Sequence, residues 1–146
     1  MAKFNYKYES IKNVKKNLEK KSQKELADID NKIEKVKKDI MELENKKNQI
    51  KINEKSSKPI KISEVHSKIH YEVYLNELIK INQKTVDNLN DERKIKLEEL
   101  VTKSKEHKVF KTLETKTQEV FILEENKLQQ HQLDDISIQK FVREKI

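Results

Sequence analysis

The chain contains no glycine and one proline in 146 residues, and this scarcity restricts where the backbone can reverse. Glycine serves the left-handed conformations of tight turns and helix C-caps, and proline ends helices. Pro59 lies in "NEKSSKPIKIS", residues 53–63, where Asn53, Ser56, Ser57 and Ser63 also collect. Pro59 has no amide donor and biases Lys58 away from the helical region. Ser63 is placed to cap a new helix whose first turn opens with Glu64, an acid at the positive end of the helix dipole. One turning point predicts an all-α fold: a single coiled-coil domain over residues 1–146, with one helix over about 3–52, a loop over about 53–63 and a second helix over about 64–144. A short connection makes the two helices antiparallel neighbours.

Apolar spacing supports this hairpin. Charged residues make up 40% of the chain, apolar residues 34% and aromatics 5%, too little for an ordinary globular core, yet Leu, Ile and Val recur among good helix formers. From Ile29 the apolar positions run Ile33, Val36, Ile40 and Leu43, then Ile50 across Lys47, which is the a/d spacing of a coiled-coil seam. Leu18, Ser22, Leu26 and Ile29 form an eleven-residue step, a stutter that unwinds the supercoil locally. The second helix continues the seam less strictly through Val65, Ile69, Tyr71, Leu75, Leu78 and Val86, and later through Leu89, Leu97, Leu100 and Phe110. Asn82, Arg93 and His107 fall at or near seam positions, where polar residues fix register.

Length then separates the two arms. At 1.5 Å per residue the first helix is about 75 Å long and the second about 120 Å, so about 30 residues of the second have no mate. With paired residue numbers adding to about 115, Phe4 faces Lys111 and the overhang starts near Leu113. The overhang carries Val120, Phe121, Leu128, Leu133 and Ile136 together with Ile122, Leu123, Ile138, Phe141 and Val142. Uncovered apolar surface of that extent marks a binding element. Net charge is +6 over residues 1–57, +3 over 58–112 and −2 over 113–146, so the overhang also differs in sign.

Several chemistries find no support. Without glycine there is no P-loop, dinucleotide fingerprint or nucleophile elbow, and without cysteine no disulfide or thiolate site, a usage compatible with a reducing compartment. His66 and His70 in "HSKIH" stand one turn apart, but Ser67 occupies the place of the zincin glutamate, so two exposed histidines are expected and no metal or cofactor. Asp134 and Asp135 are adjacent and diverge on a helix, which suits contact with a basic partner rather than catalysis. Tyr71 and Tyr74 suit either the seam or an interface. The net charge of +7 comes from 33 basic residues of which only Arg93 and Arg143 are arginine, without an Arg and aromatic surface, so nucleic acid is not the expected partner. The polar start and apolar runs as short as "VFIL", against the ~20 residues a membrane span needs, predict a soluble chain without an export leader or membrane insertion.

Three stretches resemble one family. "FKTLETKTQEVFILEENKLQQHQLDDISIQKFVRE", residues 110–144, is similar to the C-terminal signature of the flagellar export protein FliJ family, with Leu113, Glu119, Glu124, Gln130, Leu133, Asp134 and Asp135 filling its pattern. "FNYKYESIKNVKKNLEKKSQKELADID" looks like the family's opening, ending in the Leu26-Ala27 step, and "ISEVHSKIHYEVYLNELIKI" resembles its "YL..L" core. The likeness covers nearly the whole chain. It implies a non-enzymatic antiparallel coiled coil shaped like the central stalk of rotary ATPases. It further implies that this stalk binds the hexameric flagellar export ATPase and the export gate membrane protein, with export chaperones as further partners. The YscO family is the equivalent stalk of virulence type III secretion systems. Location at the cytoplasmic side of the inner membrane, at the flagellar base, follows from the same likeness. Phe4, Leu113, Val120, Phe121, Leu128, Leu133, Asp134, Asp135 and Ile136 are the expected contacts to the ATPase. Leu43, Ile50, Tyr74, Leu78 and Ile81 are the matching positions for the gate, although Lys46, Ile50 and Thr85 depart from some members. A monomeric stalk is expected, and a homo-oligomeric scaffold formed by paired overhangs is the alternative.

Overall fold

The computed structural model describes residues 3–54 and 59–145. Ser56, Ser57 and Lys58, expected in the turn, lie outside the described residues, as does the side chain of Asn53. The helices are α1, Glu9–Glu54, and α2, Ile62–Glu144, with no strand among the described residues. They pack as an antiparallel hairpin whose second helix is the longer. Contacts divide the chain into two compact units, Lys21–Val101 and Met1–Lys20 with Thr102–Ile146.

In the Lys21–Val101 unit the seam on α1 runs through Ser22, Leu26, Ile29, Ile33, Val36 and Ile40 and on to Leu43, Lys47 and Ile50, all buried or half-buried. On α2 the covered positions are Leu75, Ile79, Asn82, Val86, Leu89 and Arg93, continuing to Lys96 and Leu100, which is unbroken a/d spacing. Ile29, Ile33, Leu75 and Ile79 form the buried apolar core. Asn82 and Arg93 therefore do occupy the seam, and Arg93 Nε donates to Asp30 Oδ1. Lys96 bridges Glu25 at 3.3 Å across the hairpin and Glu99 at 3.0 Å along its own helix. These acids raise the Lys96 pKa, Glu99 first by its hydrogen bond, then Glu25. Leu97 falls off the heptad and is exposed, so Lys96 takes the seam place expected for it.

The register differs from the expected one. Lys51 pairs with Glu72 at 3.9 Å, whereas the expected register puts it against Glu64. The first turns of α2 reach past the end of α1 at the loop, which leaves Val65 and Ile69 exposed instead of in the seam, while Tyr71 is exposed because Glu72 and Leu75 take the covered positions. The helix also starts earlier than Ser63. The Lys61 carbonyl accepts from the amides of Glu64 at 3.0 Å and Val65 at 3.2 Å, which makes Lys61 the cap, while Ser63 lies inside the first turn. Beyond Lys58 the proline imposes no further restriction, so helix forms as soon as the chain clears it.

In the other unit α1 begins at Glu9, not near Lys3. The Tyr8 carbonyl accepts from the Lys12 amide at 2.9 Å, and Lys3–Tyr8 precede the helix as an arm. In this unit Lys12 pairs with Glu114 and Glu19 with His107, so paired residue numbers add to 126 rather than about 115. Phe4 accordingly meets Phe121, ring centroids 5.5 Å apart, rather than Lys111. The overhang begins after Phe121 and not at Leu113.

Candidate partner-binding surfaces

The arm is fixed by a buried tyrosine. Tyr6 donates its hydroxyl to the Phe110 carbonyl at 3.0 Å and packs edge-on to Tyr8 with centroids 5.9 Å apart. Lys12 Nζ lies 5.7 Å from the Tyr6 ring centroid and 2.7 Å from Glu114. Removal from water, and then the nearby Glu114 charge, push the Tyr6 phenol above its ordinary value. Lys15 to Glu106 at 2.7 Å and His107 Nδ1 to Glu19 Oε2 at 2.6 Å close the rest of this seam. Ser104 and then His107 hold the Glu19 carboxyl below its ordinary value by hydrogen bonding. The seam is thus largely polar here, and His107 occupies the position expected of it.

Past the arm, nothing among the described residues packs against α2 from Asn126 onward. Every residue from Asn126 to Lys145 is exposed, Leu133 at 64%. Leu128, Leu133, Ile136, Ile138, Phe141 and Val142 do not keep to one seam, so apolar surface lies on several sides of the helix. Asp134 and Asp135 are exposed among them.

The residues expected to meet the ATPase therefore fall into three places. Phe4 and Phe121 pack against each other with tilted rings and are half-buried, Leu113 and Val120 lie exposed beside them on a different face of α2, and Leu128, Leu133, Asp134, Asp135 and Ile136 belong to the overhang. The expected gate residues also divide. Leu43, Ile50 and Leu78 are half-buried at the seam, while Tyr74 and Ile81 are exposed, with Tyr71 stacked on Tyr74 at 6.5 Å. Both tyrosines therefore lie outside the seam. Tyr6, Glu19 and Ser104 carry no motif and were not singled out by sequence. Tyr6 had an available signal, an aromatic ring just before the helix start.

A two-helix coiled coil with a long exposed apolar terminus defines a helical binding element. Residues 4–145 match the family model described as flagellar FliJ protein, and the chain belongs to that family. No curated protein and no solved structure matches it. Membership makes the chain a component of the flagellar type III protein export apparatus, in a family whose part in export is non-catalytic. No helix among the described residues is long and apolar enough to cross a membrane.

Proposed function

We propose that the chain is a stalk that couples the export ATPase ring to the export gate at the flagellar base. The observation that carries this reading is the overhang from Leu128 to Val142, exposed and apolar on several sides. A helix of that kind needs a partner that encloses it, as a ring does, rather than a single groove. Leu128, Leu133 and Ile136 would fill the ring's interior, and Asp134 and Asp135 would meet basic side chains there. The exposed Tyr74 and Ile81, extended by Tyr71, are the residues best placed to meet the gate. No bond is made or broken by the stalk. It promotes ATP hydrolysis by binding the assembled ring more tightly than the separate subunits, since a ligand shifts an equilibrium only through differential affinity.

The test is a chain ended after Asn126, which keeps the arm, the seam and all the ion pairs described above. Far-ultraviolet circular dichroism of the truncated chain should report an intact helical hairpin, and its stimulation of the ATPase should be lost. Stimulation equal to that by the full chain would remove the overhang from the account.

A further inference from the structure

Beside the arm, α2 is more apolar on the face turned away from α1 than on the face it covers. Toward α1 and the arm lie His107, Phe110, Glu114 and Phe121, at steps of three, four and seven residues. On the other side stand Val109, Leu113, Lys116, Val120, Leu123 and Lys127, at steps of four, three, four, three and four. This is a second heptad seam on the same helix. All six are exposed, Val109 at 63%. Lys105, Lys108, Val109, Thr112, Leu113 and Lys116 line a shallow groove of about 610 Å³ along it. Lys105, Lys108, Lys116 and Lys127 make no ion pair among the described residues, and Glu119 and Glu124 are the acids that flank the stripe.

We propose that this stripe docks one further helix, amphipathic with acidic flanks, supplied by a partner protein. The stripe is a narrow a/d seam of valine and leucine, the width another helix requires, whereas a lipid surface calls for a broad apolar face with aromatic anchors. Unpaired lysines in and beside the seam select carboxylates opposite them. A second copy of this chain would instead bring its own lysines against them, a repulsive arrangement. The contact is separate from the proposed ring contact, and it reassigns Leu113 and Val120 from the ring to this face.

The probe is a dye-labelled synthetic helix of about four heptads, with Leu at a and d and Glu at e and g. It is titrated into the full chain by fluorescence anisotropy, with a peptide bearing Lys at e and g as comparison. The acidic peptide binds and the basic one does not. Val109→Asp combined with Leu123→Asp weakens binding by roughly tenfold or more, at unchanged helicity. Lys105→Glu with Lys108→Glu reduces the preference for the acidic peptide, and Leu133→Asp changes nothing. Absence of acidic-peptide binding overturns the proposal, as does binding lost through Leu133→Asp instead. Phosphatidylserine vesicle binding that Val109→Asp abolishes, without peptide binding, marks a lipid surface instead. Sedimentation showing self-association abolished by the same change marks a second copy. The titration contains no ATPase, so its failure and failure of the ring contact are read separately.

Discussion

Replacing Ser22 by alanine should stabilise the hairpin. Ser22 is 0% exposed, and its hydroxyl has no hydrogen-bond partner among the described residues. It stands in the stutter, at a seam position between Leu18 and Leu26 where apolar spacing calls for a larger side chain. A buried hydroxyl left unsatisfied costs about 1–3 kcal/mol. Alanine removes that cost, leaves almost the same volume, and adds a few tenths of a kcal/mol in helix propensity, roughly 0.5 at most. The expected gain is about 1–2 kcal/mol, smaller than the sum because the serine hydroxyl is partly desolvated in any compact unfolded ensemble too.

Urea unfolding followed by circular dichroism measures this gain. With a slope of about 1–3 kcal/mol/M, Ser22→Ala moves the midpoint upward by about 0.3–2 M at constant slope. Ser22→Asn, which buries a larger polar group at the same place, moves it downward. A midpoint unchanged or lowered by alanine would mean that the hydroxyl is satisfied, and the reasoning from an orphaned polar group would fail.

Tyr6→Ala should detach the arm and lower stability by up to about 3–4 kcal/mol, the range for emptying a buried aromatic site. Tyr6→Phe should cost only about 1 kcal/mol for the lost hydrogen bond, and hydrogen exchange of the Phe4–Tyr8 amides distinguishes the two. Glu19 has its pKa lowered in the fold by Ser104 and His107. Its contribution is therefore complete above the ordinary value of 4.5 and is lost as pH falls through the lower folded value. Acid-induced unfolding should accordingly be less steep in Glu19→Gln, and an identical acid profile would contradict the pairing. Leu75→Ala should cost about 2–5 kcal/mol, read from the urea midpoint, because Leu75 is 1% exposed in the Lys21–Val101 seam.

The seam of α1 was legible because its period is strict: Ile29 to Ile50 read the same in sequence and in structure. The single turning point was legible for a similar reason, since nothing else in the chain can reverse it. The register was not, because it depends on how far α2 passes the end of α1 at the loop, and no local pattern encodes that distance. Lys96 in place of Leu97 follows from the same difficulty, as a lysine stem covers a seam position while its ammonium reaches Glu25 and Glu99. The Lys3–Tyr8 stretch reads as helix in sequence because nothing local stops helix there. Its conformation is fixed by distant contacts, Tyr6 with Phe110 and Phe4 with Phe121. The overhang was recognisable as apolar surface, but the separation of Leu113 and Val120 from Leu133 and Ile136 required knowing which face of α2 meets α1.

The central claim is that the bare end of α2 is what the export ATPase grips. Titrating the purified ATPase ring with the full chain and with a Leu133→Asp, Ile136→Asp double variant tests it by equilibrium affinity. Both substitutions lie on exposed positions, so the hairpin itself should be unaltered. The account predicts at least a hundredfold loss of affinity, about 2.7 kcal/mol, from charges forced into an apolar enclosure. Equal affinity for the two chains would contradict it.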